Sequence, residues 1–536
     1  MAYPVSRQIL TFAFLLLVLP GFAAASDWTP SGASTAVNPA GAAPVTVHPS
    51  EIVQTVTPYT GTPVALPRVN PPELDKESLP EMRLVPSFIP EHSAIEDGSV
   101  LTTALEGGPG PLAPVRQKTF GGPSQTRFFP PDPTIAAGPA YVVVAVNTTL
   151  AFYTKAGALK FQTAFGTWFS KLAEDQNTTL FDPRVMYDQY AQHFIVLVDA
   201  VKDSENRSWY FLAVSKTADP TGDWVQWALD MQLNGKTTTN NWADFPGLGL
   251  DQKGIYLTGN MFSFNTDNFM NAKLRVLNKA NVYQFGVITW VDFFNLRDAT
   301  GQPAFTIQPV HSYGTVDREY MINSNDDHAT KLTLWSVQNP TAPRPTLLKK
   351  AITVSAYQYP PDAPQKGGGE AINTGDARFD THGIYSGGYI YAIHPVGYNW
   401  SSGQVSAIRL YQLTPAGAVV QEITYGADKL YYFYPALDVD SRGNIVVVFS
   451  RCGPSELVGI YYTGRKLTDA AGKLQNSALL KMGAVNYEQE DDSNRNRWGD
   501  YNTAALDPSD DSVWIFSEFS TTPTTWSTQV GKVRFN

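Results

Sequence analysis

The sequence predicts an all-β chain: a seven-bladed β-propeller preceded by a signal peptide and a Pro-rich extended arm, with six and eight blades as the alternative counts. Three observations carry this. The 536-residue chain is 12% aromatic and only 16% charged, with 41 Gly and 39 Pro. It lacks the long Ala, Glu, Lys and Leu runs that propagate helices. A unit of about 50 to 65 residues returns seven times, near the length of a four-stranded sheet with its turns.

The N-terminus, MAYPVSRQILTFAFLLLVLPGFAAAS, has a short segment with Arg7, an apolar core from Ile9 to Phe22, and Ala23 and Ala25 in A-x-A positions. Residues 1–25 are therefore expected to be a signal peptide cleaved after Ala25. The product would be secreted, extracellular or periplasmic. The apolar run is shorter than the roughly 20 residues that span a bilayer, so no membrane association is expected after cleavage. Residues 26–124 are rich in Pro, Ala, Thr, Ser and Gly and read as a linker or pro-segment, with ESLPEMRLVPSFIP placed to pack on the domain C-terminal to it.

The repeats fill 126–536. Each enters through a short polar or Pro-bearing turn (FFPPDPTIAAG, LFDPRVMYD, WADFPGLGLD, IQPVHSYG, GDARFDTHG, YFYPALDVD, RWGDYNTAALD). A small, mixed first strand succeeds the turn, suited to a crowded centre. A more apolar second strand comes next (YVVVAVN, HFIVLVD, NIVVVFS), then a third and a polar hairpin in which Gly supplies positive φ. The repeat around His311 matches least well. The seventh has room for three strands, and VRQKTF, 115–120, is the candidate fourth, joining both ends of the domain so that no edge stays open.

The segment SKTADPTGDW, Ser215 to Trp224, resembles the Asp-box turn S-x-D-x-G-x-x-W, with Thr217, Asp219, Gly222 and Trp224 as counterparts and one extra residue between Asp and Gly. On this box and the repeat order, 126–536 is similar to secreted sialidase-like (Asp-box) propeller proteins, mostly of unassigned activity. In that family the box is a structural hairpin. Its sialidases clamp a carboxylate with three arginines and use a Tyr/Glu pair with an Asp acid. The resemblance would give Arg127, Arg184, Arg378 and Arg497, all at or near repeat entries, to a carboxylate clamp. The chain departs from the pattern in the TRFFPPD context of Arg127 and in having no assignable Tyr/Glu pair.

Net charge of −10 without clustered Lys or Arg argues against a nucleic-acid partner. No HExxH, C-x-x-C, phosphate loop or G-x-S-x-G elbow occurs, which disfavours zinc, nucleotide and serine-hydrolase chemistry. Cys452, the only cysteine, reads as buried filler, so stability must come from packing. Asn147, Asn177, Asn206 and Asn399 head glycosylation sequons.

Asp132, Asp182, Asp244 and Asp500 recur at repeat entries, either as a carboxylate ring able to act as acid and base or hold calcium, or as turn residues accepting backbone N–H groups. Asp132, Asp244, His311 and His382 are the catalytic candidates, His being the side chain that titrates near neutrality. Arg184, Arg378, Arg497, Trp242, Tyr434 and Trp498 are the substrate-binding candidates, the aromatics, Tyr313 with them, as stacking faces or as packing between blades. The acidic run YEQEDDSN, Tyr487 to Asn494, reads as a solvated loop. No metal is assigned, and no cofactor is expected unless calcium occupies the acidic ring. The leading reading is a monomeric, secreted carbohydrate-active propeller that binds a glycan at its central mouth and, if an enzyme, cleaves it as glycoside hydrolase or polysaccharide lyase. The alternatives are a non-catalytic adhesion or recognition propeller and a calcium-stabilised scaffold.

Overall fold

A computed structural model describes residues 34–35, 44–57, 59–66, 100–105, 113–173, 177–324 and 329–536. The expected signal peptide and the ESLPEMRLVPSFIP segment lie outside them. The chain is all-β. Seven four-stranded antiparallel units span 134–164, 179–230, 241–294, 308–353, 383–426, 431–482 and 503–534. Their first strands are β1 (Thr134–Ala137), β2 (Thr179–Asp188), β3 (Asn241–Leu250), β4 (Gln308–Ser312), β5 (Gly383–Ser386), β6 (Tyr431–Val439) and β7 (Thr503–Leu506). The weakly matching repeat around His311 forms a four-stranded unit like the rest.

The seventh unit has three strands of its own. Its fourth is Val115–Ser124, antiparallel to Thr525–Arg534. Phe120 from that strand packs against Tyr153 of unit 1 and Trp514 of unit 7, with ring centroids 5.1 and 6.0 Å away.

Each first strand lies beside the next, and β7 returns to β1. The seam between β7 and β1 is fastened by the Thr503 hydroxyl, which donates to the Pro133 carbonyl at 3.0 Å. Small residues are required here because neighbouring backbones approach closely. A Cβ on Gly249 of β3 would stand 2.6 Å from the Val310 carbonyl oxygen of β4. The apolar residues of the outer strands gather in clusters between successive units: Val143, Phe152 and Trp168 against Phe211 and Trp224 between units 1 and 2, and Ile135 and Val142 against Trp514 and Phe516 between units 7 and 1. Burial of these faces against one another is the main driving force for the arrangement.

Short segments of the N-terminal arm add to outer edges. Val45–Val47 pairs with Trp224–Asp230 of unit 2, and Val100–Leu105 runs parallel to Val419–Gly426 of unit 5. Each edge strand carries unpaired N–H and C=O groups that a passing segment can satisfy. Among the described residues no helix is long and apolar enough to cross a membrane.

Ser215 to Trp224 is the hairpin between the third and fourth strands of unit 2. Asp219 Oδ1 accepts from the Thr221 N–H at 2.9 Å, and Trp224 stacks on Phe152 of unit 1 at 5.6 Å. Its role is packing, as the resemblance implied. Cys452 is fully buried and burial pushes its thiol pKa well up.

Candidate functional site

Where the chain enters a first strand, one residue takes a left-handed conformation: Asp132, Asp182, Phe245, Thr306 and Tyr434 have φ of 47°, 49°, 53°, 47° and 50°. Proline follows four of the five. In units 2, 3 and 6 the ladder slips at this point, between Phe181 and Arg184, Asp244 and Gly247, and Phe433 and Ala436. This is a β-bulge, and its effect is to re-aim the side chains around it. The recurring aspartates therefore occupy two different positions. Asp132 and Asp182 are themselves the left-handed residue, whereas Asp244 precedes it; Asp500 likewise stands before an aromatic residue, Tyr501, at the entry of the seventh unit.

A second recurring place lies in or just after the second strands, two residues beyond the partner of a residue near the start of each first-strand pairing. The pairs Thr134↔Ala145, Arg184↔Leu197, Gly247↔Thr258 and Thr503↔Phe516 put Asn147, Asp199, Asn260 and Glu518 there. Asn147 and Asn260 bridge to the next unit. The Asp182 N–H donates to Asn147 Oδ1 at 2.8 Å, and the Thr306 N–H donates to Asn260 Oδ1 at 2.8 Å. Asn147 also donates to Asp132 Oδ2 at 2.6 Å. Being buried in this role, Asn147 is a structural residue and offers no glycosylation site.

Around these positions Asp132, Asp182, Asp199, Asp244, Asp380, Asp500, Arg184, Arg378 and Arg497 form one buried, mutually interacting cluster. Arg497 makes a two-pronged ion pair with Asp500, at 2.8 Å on each prong. Arg378 does the same with Asp376, at 2.8 and 2.5 Å. Arg184 donates from Nε to the Pro246 carbonyl at 2.7 Å and lies 3.5 Å from the centroid of the Tyr501 ring. Burial pushes Asp132, Asp182, Asp199, Asp380 and Glu518 well above the usual carboxylate range. Asp244 is pushed up to about 7, by burial first and then by Asp500. Burial is the largest single influence on Asp500 and acts to raise it, but the charge and hydrogen bonds of Arg497, joined by the charges of Arg378 and Arg495, together hold this acid below its ordinary value.

Further along the first strands lies a cavity of about 320 Å³, lined on one side by Gln189, His311, Tyr313, His382 and Asp438 and elsewhere by mostly apolar residues of β1, β2 and β7, with Met186 and Tyr187 the bulkiest among them. His311 Nε2 lies 2.9 Å from Gln189 Oε1, and its ring centroid is 6.1 Å from that of His382. Burial depresses both histidines, His382 to about 3 with Arg184 adding to the effect, so both are neutral near pH 7. Asp438 accepts from the Tyr313 hydroxyl at 3.0 Å and from the Leu506 N–H at 2.6 Å, yet burial pushes it up to about 7.

The candidates from sequence divide accordingly. Asp132, Asp244, Arg184, Arg378 and Arg497 do meet, but inside the protein, where carboxylates already fill the guanidinium forks of Arg378 and Arg497. His311 and His382 line the cavity. Trp242 packs on Phe262 at 5.2 Å, and the Trp498 indole N–H donates to Ser450 Oγ at 3.1 Å; both indoles are fully buried and offer no stacking face. Tyr434 is buried and donates from its hydroxyl to the Asn373 carbonyl. In the acidic run, Asp491 is buried and binds Arg495 at 2.8 Å, so that part is a capped turn rather than a solvated loop. Asn147, Asp199 and Glu518 were missed. Their signal was a polar residue closing an apolar run, YVVVAVN and FIVLVD, or in VWIFSE a polar pair closing it.

No family model and no curated protein matches this chain. Solved structures give distant likenesses. A trans-sialidase-active mutant of Trypanosoma rangeli sialidase shares 10% identity over 72% of this chain and 57% of its own, at a TM-score of 0.32. Phage phi92 endosialidase shares 7% over 76% and 67%, at 0.34. Drosophila Plexin A in complex with Semaphorin 1b shares 8% over 79% and 88%, at 0.35. The chain thus spans little more than half the length of the sialidase it resembles.

Proposed function

We propose that the seven units are the blades of one propeller, exported by its N-terminal segment, and that it recognises a glycan by seating an uncharged sugar unit in the cavity along its axis. The observation that carries this is the lining of that cavity. Gln189, Tyr313 and two neutral histidines offer donors and acceptors without a fixed charge, opposite a mostly apolar wall. A sugar ring presents the complementary surface, hydroxyls at its edge and C–H groups on its face. At about 320 Å³ the cavity is at the lower end of the roughly 300–1,000 Å³ range of small-molecule sites.

Recognition is favoured over cleavage by one further observation. Among the described residues Asp438 is the only carboxylate lining the cavity, whereas glycoside hydrolysis ordinarily uses a facing pair. The arginines are assigned to the interior rather than to a carboxylate clamp. A screen of the purified protein against neutral and acidic glycans, with reducing ends and unsaturated uronates measured in parallel, tests the reading. Binding of a neutral glycan, weakened at least tenfold by Gln189→Ala or His382→Ala with no product released, is the expected result. Binding confined to acidic glycans, or unaffected by both substitutions, would refute it.

A further inference from the structure

At the seam between units 2 and 3, Asp182, Asp199 and Asp244 each offer an oxygen within 4.8 Å of the others. All three side chains are buried, at 1%, 0% and 1% exposure. Among the described residues, neither oxygen of Asp182, neither oxygen of Asp199, nor Oδ1 of Asp244 has a hydrogen-bond partner. Buried polar atoms nearly always have partners, and a bare buried carboxylate is among the most costly exceptions.

The repeat sharpens the point. Asn147 and Asn260 stand at the corresponding place in units 1 and 3, and each joins its unit to the next through an amide hydrogen bond. Asp199 stands there in unit 2 and makes no such bond. A seam that asparagine closes elsewhere is faced here by three acids. Nearby positive charge does not balance them: Arg497 is paired with Asp500 and Arg378 with Asp376, which leaves Arg184. Asp132 and Asp500 also approach Asp182 within 4.8 Å, but Asp132 already accepts from Asn147 and from the Asp500 N–H.

We propose that Asp182, Asp199 and Asp244 hold a divalent cation of the calcium class, which joins units 2 and 3 where a hydrogen bond joins their counterparts. Ligands of one such ion, at roughly 2.3–2.6 Å, stand no more than about 5 Å apart, as these oxygens do. An all-carboxylate set without His or Cys selects a hard cation over zinc or copper. The site is separate from the cavity and stands or falls independently of ligand recognition. Three protons would be the competing way to neutralise the acids, and burial does raise all three.

The test uses the full chain purified without chelator. Elemental analysis after dialysis should find stoichiometric calcium or magnesium. EDTA should lower Tm by on the order of 5 °C, and added calcium should restore it. Terbium luminescence, displaced by calcium, reports the same site in the unmutated protein. Asp199→Asn places at this seam the residue that units 1 and 3 already use, so it should fold while losing the metal and the EDTA response. The proposal is overturned if the wild type retains no stoichiometric divalent metal, melts alike with and without EDTA, and gives no calcium-displaced terbium signal. It is overturned equally if Asp199→Asn keeps the metal.

Discussion

Lowering the pH should weaken this protein through His394, a fully buried side chain behind the Arg378 segment. Its Nδ1 lies 2.7 Å from the Ala377 carbonyl and its Nε2 3.1 Å from the Tyr411 hydroxyl, and its ring stacks on Phe379 at 4.7 Å. Burial drives its pKa from 6.5 down to about 3; Arg409 lowers it further, and the Ala377 carbonyl and Asp376 only partly oppose this. For a base whose folded pKa is depressed, the stability contribution is complete above the unfolded value and is lost as pH falls from about 6.5 toward 3, because the unfolded chain takes up the proton first. At pH 5 the loss relative to pH 8 works out at roughly 2 kcal/mol. Other groups titrate in the same window, so the quantity to measure is a difference. Urea denaturation of the wild type and of His394→Asn, which keeps a donor for the Ala377 carbonyl, at pH 8 and pH 5 isolates the one residue. The wild type should lose about 2 kcal/mol more than the variant. Parallel losses, within about 0.5 kcal/mol, would show that His394 is protonated in the fold and that burial does not control its charge.

Two further outcomes depend on the way the units are joined. Phe120→Ala removes the ring that the closing strand places between units 7 and 1, and should cost about 2 kcal/mol, seen as a lower thermal midpoint; no change would mean that this strand does not hold the ends together. Gly249→Ala forces a Cβ to within 2.6 Å of the Val310 carbonyl oxygen and should cost about 1–3 kcal/mol, with a wild-type midpoint refuting the close approach of β3 to β4.

Much of the fold was legible in local sequence pattern. Low charge, abundant Gly and Pro and the sevenfold return of turn, small strand and apolar strand are local properties, and seven four-stranded units result from them because each strand's alternation is set by its own residues. The hairpin at Ser215 to Trp224 was legible for the same reason: its hydrogen bonds lie within a few residues. The site was legible only in part. Arg184, Arg378, Arg497, Asp132 and Asp244 were chosen for standing at repeat entries, and they do converge. What sequence position does not encode is burial by other units. The loop carrying Asp491, Arg497 and Trp498 folds inward, so charges expected at an open mouth are paired inside and the indoles expected to stack on sugar pack between strands.

By itself, then, the sequence determined strand order, the entry turns and the small residues at the centre, since these depend on backbone geometry and on neighbours close in the chain. The tertiary structure alone decided which charges meet and which stay unpaired. Asp182, Asp199 and Asp244 come from three strands of two units, and whether an acid there is satisfied by an amide, a proton or an ion depends on the neighbour across the seam. Asn147, Asp199 and Asn260 look alike as polar residues within or just after the apolar second strands of their units; the partner that folding brings opposite each one separates a joint from a candidate metal ligand.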